Sequence, residues 1–259
     1  MAFIDCHFFS DSLGVSSSMY VILPQVARSQ IGMHAAERGG KHPTLYLLHG
    51  LSDDHTIWLR RTSIERYASA LGLAVVMPAV NRSFYADMPN GQKYWQFISE
   101  ELPRLAQSFF PLSDKREDNF VAGLSMGGYG AMKLGLTCHE RFAAAASLSG
   151  VMDAAWAVNG HPSGEFQWLL NGKTSLEGTG LDLFHLAGEL ASSKVRQPKL
   201  YQCCGTEDFL YNANIRFRDH CRELGLELTY EEEPGTHDWG YWDAKIQQVL
   251  KWLPLTESK

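Results

Sequence analysis

The stretch FVAGLSMGGYG, residues 120 to 130, places a serine where a β-prone apolar run gives way to a small-residue helical stretch. Gly123, Leu124, Ser125, Met126 and Gly127 form a G-x-S-x-G pattern, followed at once by Gly128. Between a strand and a helix, such a turn holds its serine in a strained backbone, and neighbours without side chains let the helix pass close to the strand. The hydroxyl is then lifted above the carboxyl end of a sheet, beside the positive end of a helix. The chemistry this suits is attack of Ser125 on an acyl carbon. The alternative is a tight turn in which Ser125 only caps a helix; a strand before, a helix after and a central place in the chain favour the nucleophile.

A serine hydroxyl is a poor nucleophile near neutral pH unless a base takes its proton and a third group orients that base. Ten histidines compete. His237, in EEPGTHDWGYWD, lies between the last strand-like run and the last helix, the place that the chain order serine, acid, histidine reserves for the base. His49, in LLHGL, reads as a structural residue of a loop, and His7, His139, His161, His185 and His220 lack a comparable loop setting. Asp208, in YQCCGTEDFLY, is the candidate acid, with Glu207 as nearest rival. Asp238 adjoins the base too closely, and Asp153 and Asp182 lie in an irregular segment. A tetrahedral oxyanion needs two backbone donors, for which the amides of Met126 and of Leu51, after TLYLLHG, are the candidates. Trp58 and Trp239 are candidate walls of the substrate pocket, chosen from a set that includes Tyr85, Trp95, Trp156 and Trp168.

The elements that must position these residues alternate. AFIDCHFFS and SSSMYVILPQ, separated by DSLG, read as an N-terminal antiparallel strand pair. TLYLLHG, LAVVMP, NFVAGLS, FAAAASLSG, KLYQCCG and LELTYEE are strand-like runs, most of them continuously apolar, as in strands buried on both faces. Helices are expected near Trp58–Leu71, Tyr94–Phe110, after Ser125, near Asn212–Leu224 and at the end, where Trp242, Ile246, Val249, Leu250 and Leu253 share one face. The alternation predicts an α/β fold with a mostly parallel central sheet and helices on both faces. Residues 151–197, with a helix at DLFHLAGELASS, interrupt it, and a cap-like insertion within a single domain spanning 1–259 is expected.

YLLHGLSDDHTIWLRRTSIERYA, VAGLSMGGYGAMKL, CGTEDFLY and PGTHDWGYWD, in this order, resemble the tributyrin esterase (EstA-like) group of the esterase D family. That family also holds S-formylglutathione hydrolases, with antigen 85 acyltransferases and feruloyl esterases as distant relatives. The resemblance implies an α/β-hydrolase fold and a serine carboxylesterase for short-chain acyl esters, with nucleophile, acid and base at Ser125, Asp208 and His237. It implies oxyanion amides at Leu51 and Met126. S-formylglutathione hydrolases commonly carry a cysteine soon after the His-Gly-Leu segment; this chain has Ser52, Asp53 and Asp54 there, which favours the esterase branch. A thioesterase, an acyltransferase or a carbohydrate deacetylase are the alternatives.

Composition excludes other classes. With a net charge of −6 and no clustered Lys/Arg surface, the chain is expected to bind neither nucleic acid nor an anionic membrane. Five cysteines without C-x-x-C pairs fit a reducing compartment, and no signal-peptide pattern or membrane-length apolar run is visible, so a cytoplasmic protein is expected. NGKTS at 171–175 lacks the glycine a P-loop needs, since residue 167 is glutamine; NRS at 81–83 is read as an incidental glycosylation sequon. No H-E-x-x-H or Cys/His zinc spacing occurs, so no metal or cofactor is expected, and the partner is a small ester, with a homo-oligomer possible among such proteins.

Overall fold

The computed structural model describes residues 1–26, 29, 31, 36, 38–160 and 164–255. Runs apolar at nearly every position become the strands in the middle of the sheet: β3 (Thr44–Leu48), β4 (Ala74–Pro78), β5 (Asn119–Leu124) and β6 (Ala144–Leu148) are buried throughout. They follow β1 (Ala2–Ser10) and β2 (Val15–Leu23), and precede β7 (Lys199–Gly205) and β8 (Leu228–Glu233). All eight form one sheet in the order β1-β2-β4-β3-β5-β6-β7-β8. The β1–β2 and β2–β4 pairs are antiparallel and the other pairs parallel. This is the α/β-hydrolase architecture, with the N-terminal antiparallel pair and parallel remainder that the sequence predicts.

The helices are α1 (Ile57–Arg61), α2 (Ile64–Ser69), α3 (Tyr94–Gln96), α4 (Leu102–Phe109), α5 (Met126–Thr137), α6 (Leu183–Ser192), α7 (Tyr211–Glu223) and α8 (Trp239–Trp252). One face of the sheet is covered by α1, α2 and α8, where Trp58, Trp242, Ile246 and Val249 pack with Leu45, Val75, Phe120 and Ala146. The other face carries α3 to α7, where Phe97, Met132, Leu186 and Phe217 pack with Val121 and Ala145. Burying both faces is why the middle strands lack polar alternation.

Two expected helices are interrupted. The helix read at Trp58–Leu71 breaks between α1 and α2: Thr62 is extended, its hydroxyl donates to Trp58 O at 2.6 Å, and it accepts from Ile64 N at 3.2 Å. A threonine hydroxyl that serves its own backbone competes with helix propagation. The helix read at Tyr94–Phe110 contains a π turn, Phe97–Glu101, before Pro103. Proline has no N–H for the carbonyl four residues back, and a wider turn accommodates the missing bond. Glu101 then turns to the β1–β2 connection, accepting from Ser10 Oγ at 2.7 Å, Asp11 N at 2.8 Å and Ser12 N at 3.0 Å. Between 151 and 197 the described residues form no strand but a π turn (Trp156–Gly160), a 3-10 turn (Gln167–Leu170) and α6, whose N-cap Asp182 accepts from Phe184 N at 3.0 Å. No helix among the described residues is long and apolar enough to cross a membrane.

Candidate active site

Three strand ends, those of β5, β7 and β8, deliver the polar residues of the site. Ser125 caps α5 with φ 53° and ψ −118°, a region an L-residue occupies only under constraint. The constraint is close packing: a Cβ on Gly123 would lie 2.3 Å from Gly127 O, and one on Gly127 2.5 Å from Leu48 O. Ser125 N donates to Leu148 O at 3.0 Å, and its carbonyl accepts from Tyr129 N at 3.1 Å and Val151 N at 3.2 Å, so the turn is bonded to β6 and the loop beyond it.

His237 Nδ1 donates to Asp208 Oδ2 at 2.8 Å. With that nitrogen holding the proton, Nε2 accepts from Ser125 Oγ at 3.0 Å. The Asp208 side chain is wholly buried, and its second oxygen accepts from Leu210 N at 2.8 Å. The imidazole is held edge-on by Trp242, 4.8 Å between ring centres, with Phe209 4.6 Å away on a tilted plane. The rival carboxylates have other tasks. Glu207 accepts from Gly235 N at 2.6 Å, Asp238 caps α8 by accepting from Tyr241 N at 3.1 Å, Asp153 pairs with Arg216 at 2.8 Å, and Asp182 caps α6. A hydroxyl, imidazole and buried carboxylate so joined can pass the hydroxyl proton to Nε2 while the carboxylate stabilises the imidazolium.

Met126 is the first residue of α5, so its N–H has no carbonyl in the helix ladder to meet. Leu51 lines the same cavity as Met126, in a turn closed by Asp53 N donating to Gly50 O at 3.3 Å. Burial pushes the Asp53 carboxyl up, and a hydrogen bond from the Gly50 backbone partly holds it down. Behind the turn, Val80 N donates to His49 Nε2 at 3.1 Å and His49 Nδ1 donates to Gly50 O at 2.7 Å. That bonding needs a neutral ring, and burial lowers the His49 pKa to about 4. Tyr85 Oη donates to His49 O at 3.0 Å, and the Tyr85 carbonyl accepts from the buried Lys133 of α5 at 3.1 Å. Lys133 also faces the ring of Trp95 at 3.9 Å.

Ser125 opens into a cavity of about 450 Å³ lined by Phe84, Leu124, Val151, Trp156, Phe209 and Trp239, among others. Trp239 is among its lining residues. Trp58 is not: it is 1% exposed, donates through Nε1 to Leu48 O at 3.0 Å and stands edge-on behind Trp239 at 5.2 Å, supporting the wall from within the core. Phe84 and Phe209 escape sequence reasoning. Phe209 follows the acid in a loop with no pattern of its own, and Phe84 enters through a left-handed backbone, φ 48°, that no glycine marks. A second, polar groove of about 780 Å³ adjoins across Leu51, Ser52 and Asp53, with Asn81, Arg82, Gln92 and Glu165. There Arg82 grips Glu165 with two bonds of 2.6 and 2.7 Å.

Comparison with known proteins agrees with this geometry. The Esterase family model matches residues 10–253. An acetyl esterase of Caldicellulosiruptor saccharolyticus is 30% identical over 98% of both chains. Among solved structures, the fluorophosphonate-binding serine hydrolase F of Staphylococcus aureus, in a substrate-bound form, superposes with a TM-score of 0.89 at 37% identity, covering 98% of each chain. An S-formylglutathione hydrolase from the same organism gives 0.85 at 38% identity, again over 98% of each. The chain belongs to the Esterase family, within the esterase D and S-formylglutathione hydrolase-like α/β-hydrolases, and is a serine hydrolase of carboxylic esters.

Proposed function

We propose that the protein hydrolyses short-chain acyl esters, acetyl to butyryl, through an acyl-enzyme on Ser125, as in the tributyrin esterase group. The observation that carries this reading is the imidazole of His237, 3.0 Å from Ser125 Oγ and 2.8 Å from Asp208, at the mouth of a small apolar cavity. Ser125 Oγ attacks the ester carbonyl carbon as its proton passes to His237 Nε2. The amides of Leu51 and Met126 donate to the oxyanion, each worth about 3 kcal/mol in the transition state. Collapse breaks the bond to the alcohol oxygen, which leaves with the proton from Nε2. Water then gives a proton to Nε2, attacks the acyl carbon and releases the acid, with Ser125 taking its proton back.

The acyl group occupies the cavity walled by Phe84, Trp156, Phe209 and Trp239, and the alcohol lies toward the polar groove. The described residues between 151 and 197, which send Val151 and Trp156 into the cavity wall, act as its cap. The free state of all five cysteines supports a reducing compartment such as the cytoplasm. A second reading, thioester hydrolysis of S-formylglutathione, is favoured by the 38% identity to the S-formylglutathione hydrolase of S. aureus. Against it stand Ser52, Asp53 and Asp54 after Leu51, and a groove lined by two carboxylates, Asp53 and Glu165, whose Arg82 is already bonded to Glu165, a poor match to a ligand with two carboxylates of its own.

The test is kcat/KM on p-nitrophenyl acetate, butyrate and palmitate beside S-formylglutathione. Acetate and butyrate should exceed palmitate by about a hundredfold or more, since methylenes that stay outside the cavity gain none of the ~0.8 kcal/mol that burial gives each, and a chain too long for the cavity draws the carbonyl away from Ser125. Equal rates on palmitate would refute the short acyl site, and a far higher kcat/KM on S-formylglutathione would establish the second reading.

A further inference from the structure

Two loops meet beside the nucleophile, where a Cβ on Gly50 would lie 3.7 Å from that of Ser125. The first holds His49, Gly50 and Leu51. Because Gly50 leaves its backbone dihedrals free, the peptide planes on either side of it need bonds from elsewhere to hold them. One plane carries Gly50 O and Leu51 N–H, which point in opposite directions in a planar trans peptide, so whatever fixes the carbonyl aims the amide. His49 Nδ1 at 2.7 Å and Asp53 N at 3.3 Å both donate to that carbonyl. The other plane carries His49 O, which accepts from Tyr85 Oη at 3.0 Å.

The second loop is shaped to bring that hydroxyl there. Phe84 and Tyr85 are both left-handed, φ 48° each, though neither is a glycine. Tyr85 is wholly buried. Its N–H donates to Ser83 Oγ at 3.1 Å, its carbonyl accepts from Lys133 Nζ at 3.1 Å, and its ring lies so near Gly130 that a Cβ there would be 2.6 Å from it. Gly130 and Lys133 belong to α5, the helix that Ser125 caps. Lys133 is itself buried, with its nitrogen 3.9 Å from the centre of the Trp95 ring, so the hold on Tyr85 comes from a side chain with little room to move. We propose, resting on the acyl-enzyme reading of this site, that Tyr85 is a positioning residue for ester hydrolysis: anchored to α5, it locks the His49–Gly50 peptide so that Leu51 N–H and Met126 N–H serve one oxyanion together. Tyr85 lies outside the cavity lining and acts through the loop. Donors fixed before the charge develops need no rearrangement as it forms, which is where their catalytic value lies. A hydroxyl that only satisfied a buried carbonyl would add stability and leave turnover alone.

The test is Tyr85→Phe, which keeps the ring and removes one oxygen, with thermal unfolding to confirm the fold. Acylation and deacylation both pass through an oxyanion, so kcat on p-nitrophenyl butyrate should fall about tenfold, part of the hundredfold or more that loss of a whole donor costs, while KM stays within about twofold. The acid limb of the kcat profile should keep its midpoint, because the bonds of His237 to Asp208 and Ser125 are untouched. Two inhibitors separate the states. Ser125 Oγ adds to the carbonyl carbon of butyl trifluoromethyl ketone as its proton passes to His237 and the carbonyl oxygen becomes an oxyanion, so this ketone should bind about tenfold more weakly to the variant. Butyl methyl ketone, which keeps its carbonyl, should bind both proteins to within about twofold. Lys133→Gln, a second route to the same loosening, should show the same signature and add little in the Tyr85→Phe background. Parent kcat and parent affinities in Tyr85→Phe, with only the unfolding temperature lowered, overturn the proposal; so do a shifted acid limb, equal weakening of both ketones or losses from the two substitutions that multiply. A parent whose hydrolysis survives Ser125→Ala overturns the acyl-enzyme reading itself, and the role of Tyr85 with it, an outcome distinct from the others.

Discussion

At the scale of single residues, the site works by fixing which nitrogen holds a proton. Asp208 takes the Nδ1–H of His237, leaving Nε2 as acceptor for Ser125. On the proposed mechanism Ser125→Ala should lower kcat by about a millionfold, and Asp208→Asn, which leaves the geometry but favours the wrong tautomer, by about ten-thousandfold. Single-turnover kinetics with p-nitrophenyl butyrate would check both. His49 is the second histidine whose protonation state matters, in the fold rather than the reaction. Burial lowers its pKa to about 4, and the neutral ring accepts from Val80 N. Above pH of about 6.5 the ring is neutral folded or unfolded and its full contribution is present. As pH falls from there toward 4, the unfolded chain gains a proton that the folded one refuses, and about 3 kcal/mol is lost. Denaturant unfolding from pH 7 to 4 should show this slope, and His49→Gln should flatten it. The sequence carried the candidates legibly at this scale because a serine between glycines and a histidine beyond the last strand have few other uses. Phe84, Phe209 and the withdrawal of Trp58 into the core were not legible, since side-chain direction depends on neighbours far along the chain.

Among the elements, close approach of backbone decides what each position tolerates. β5 and α5 meet so tightly that a Cβ on Gly123 would overlap Gly127 O at 2.3 Å. Gly123→Ala should therefore destabilise the protein by several kcal/mol or prevent folding, beyond the ordinary cost of a core change. Gly188, inside α6, has open space where a Cβ would go. Gly188→Ala should stabilise by about 0.5–1 kcal/mol through helix propensity alone. Thermal unfolding of the two variants against the parent measures the contrast. Sequence periodicity located the helices, yet it joined α1 to α2 across Thr62 and passed over the π turn before Pro103. Both interruptions arise from hydrogen bonds that hydrophobic spacing does not encode.

For the whole molecule, the candidate site exists only where the sheet is complete. Ser125, Asp208 and His237 come from the ends of β5, β7 and β8, with no two of them within one local turn. Ester hydrolysis and tryptophan fluorescence should thus be lost over the same range of urea, and earlier loss of activity alone would show that the β7–β8 side opens by itself. The sequence by itself determined the layered α/β plan, the order of its strands in the chain and the residue types able to carry acyl transfer, because burial on two faces and a strained serine turn leave local signatures. The tertiary structure alone decided which carboxylate meets the imidazole, which aromatics wall the cavity and that Trp58 stands behind that wall rather than in it. Those outcomes depend on distances between segments 29 to 112 residues apart in the triad alone, and such distances are set by packing rather than by any local pattern.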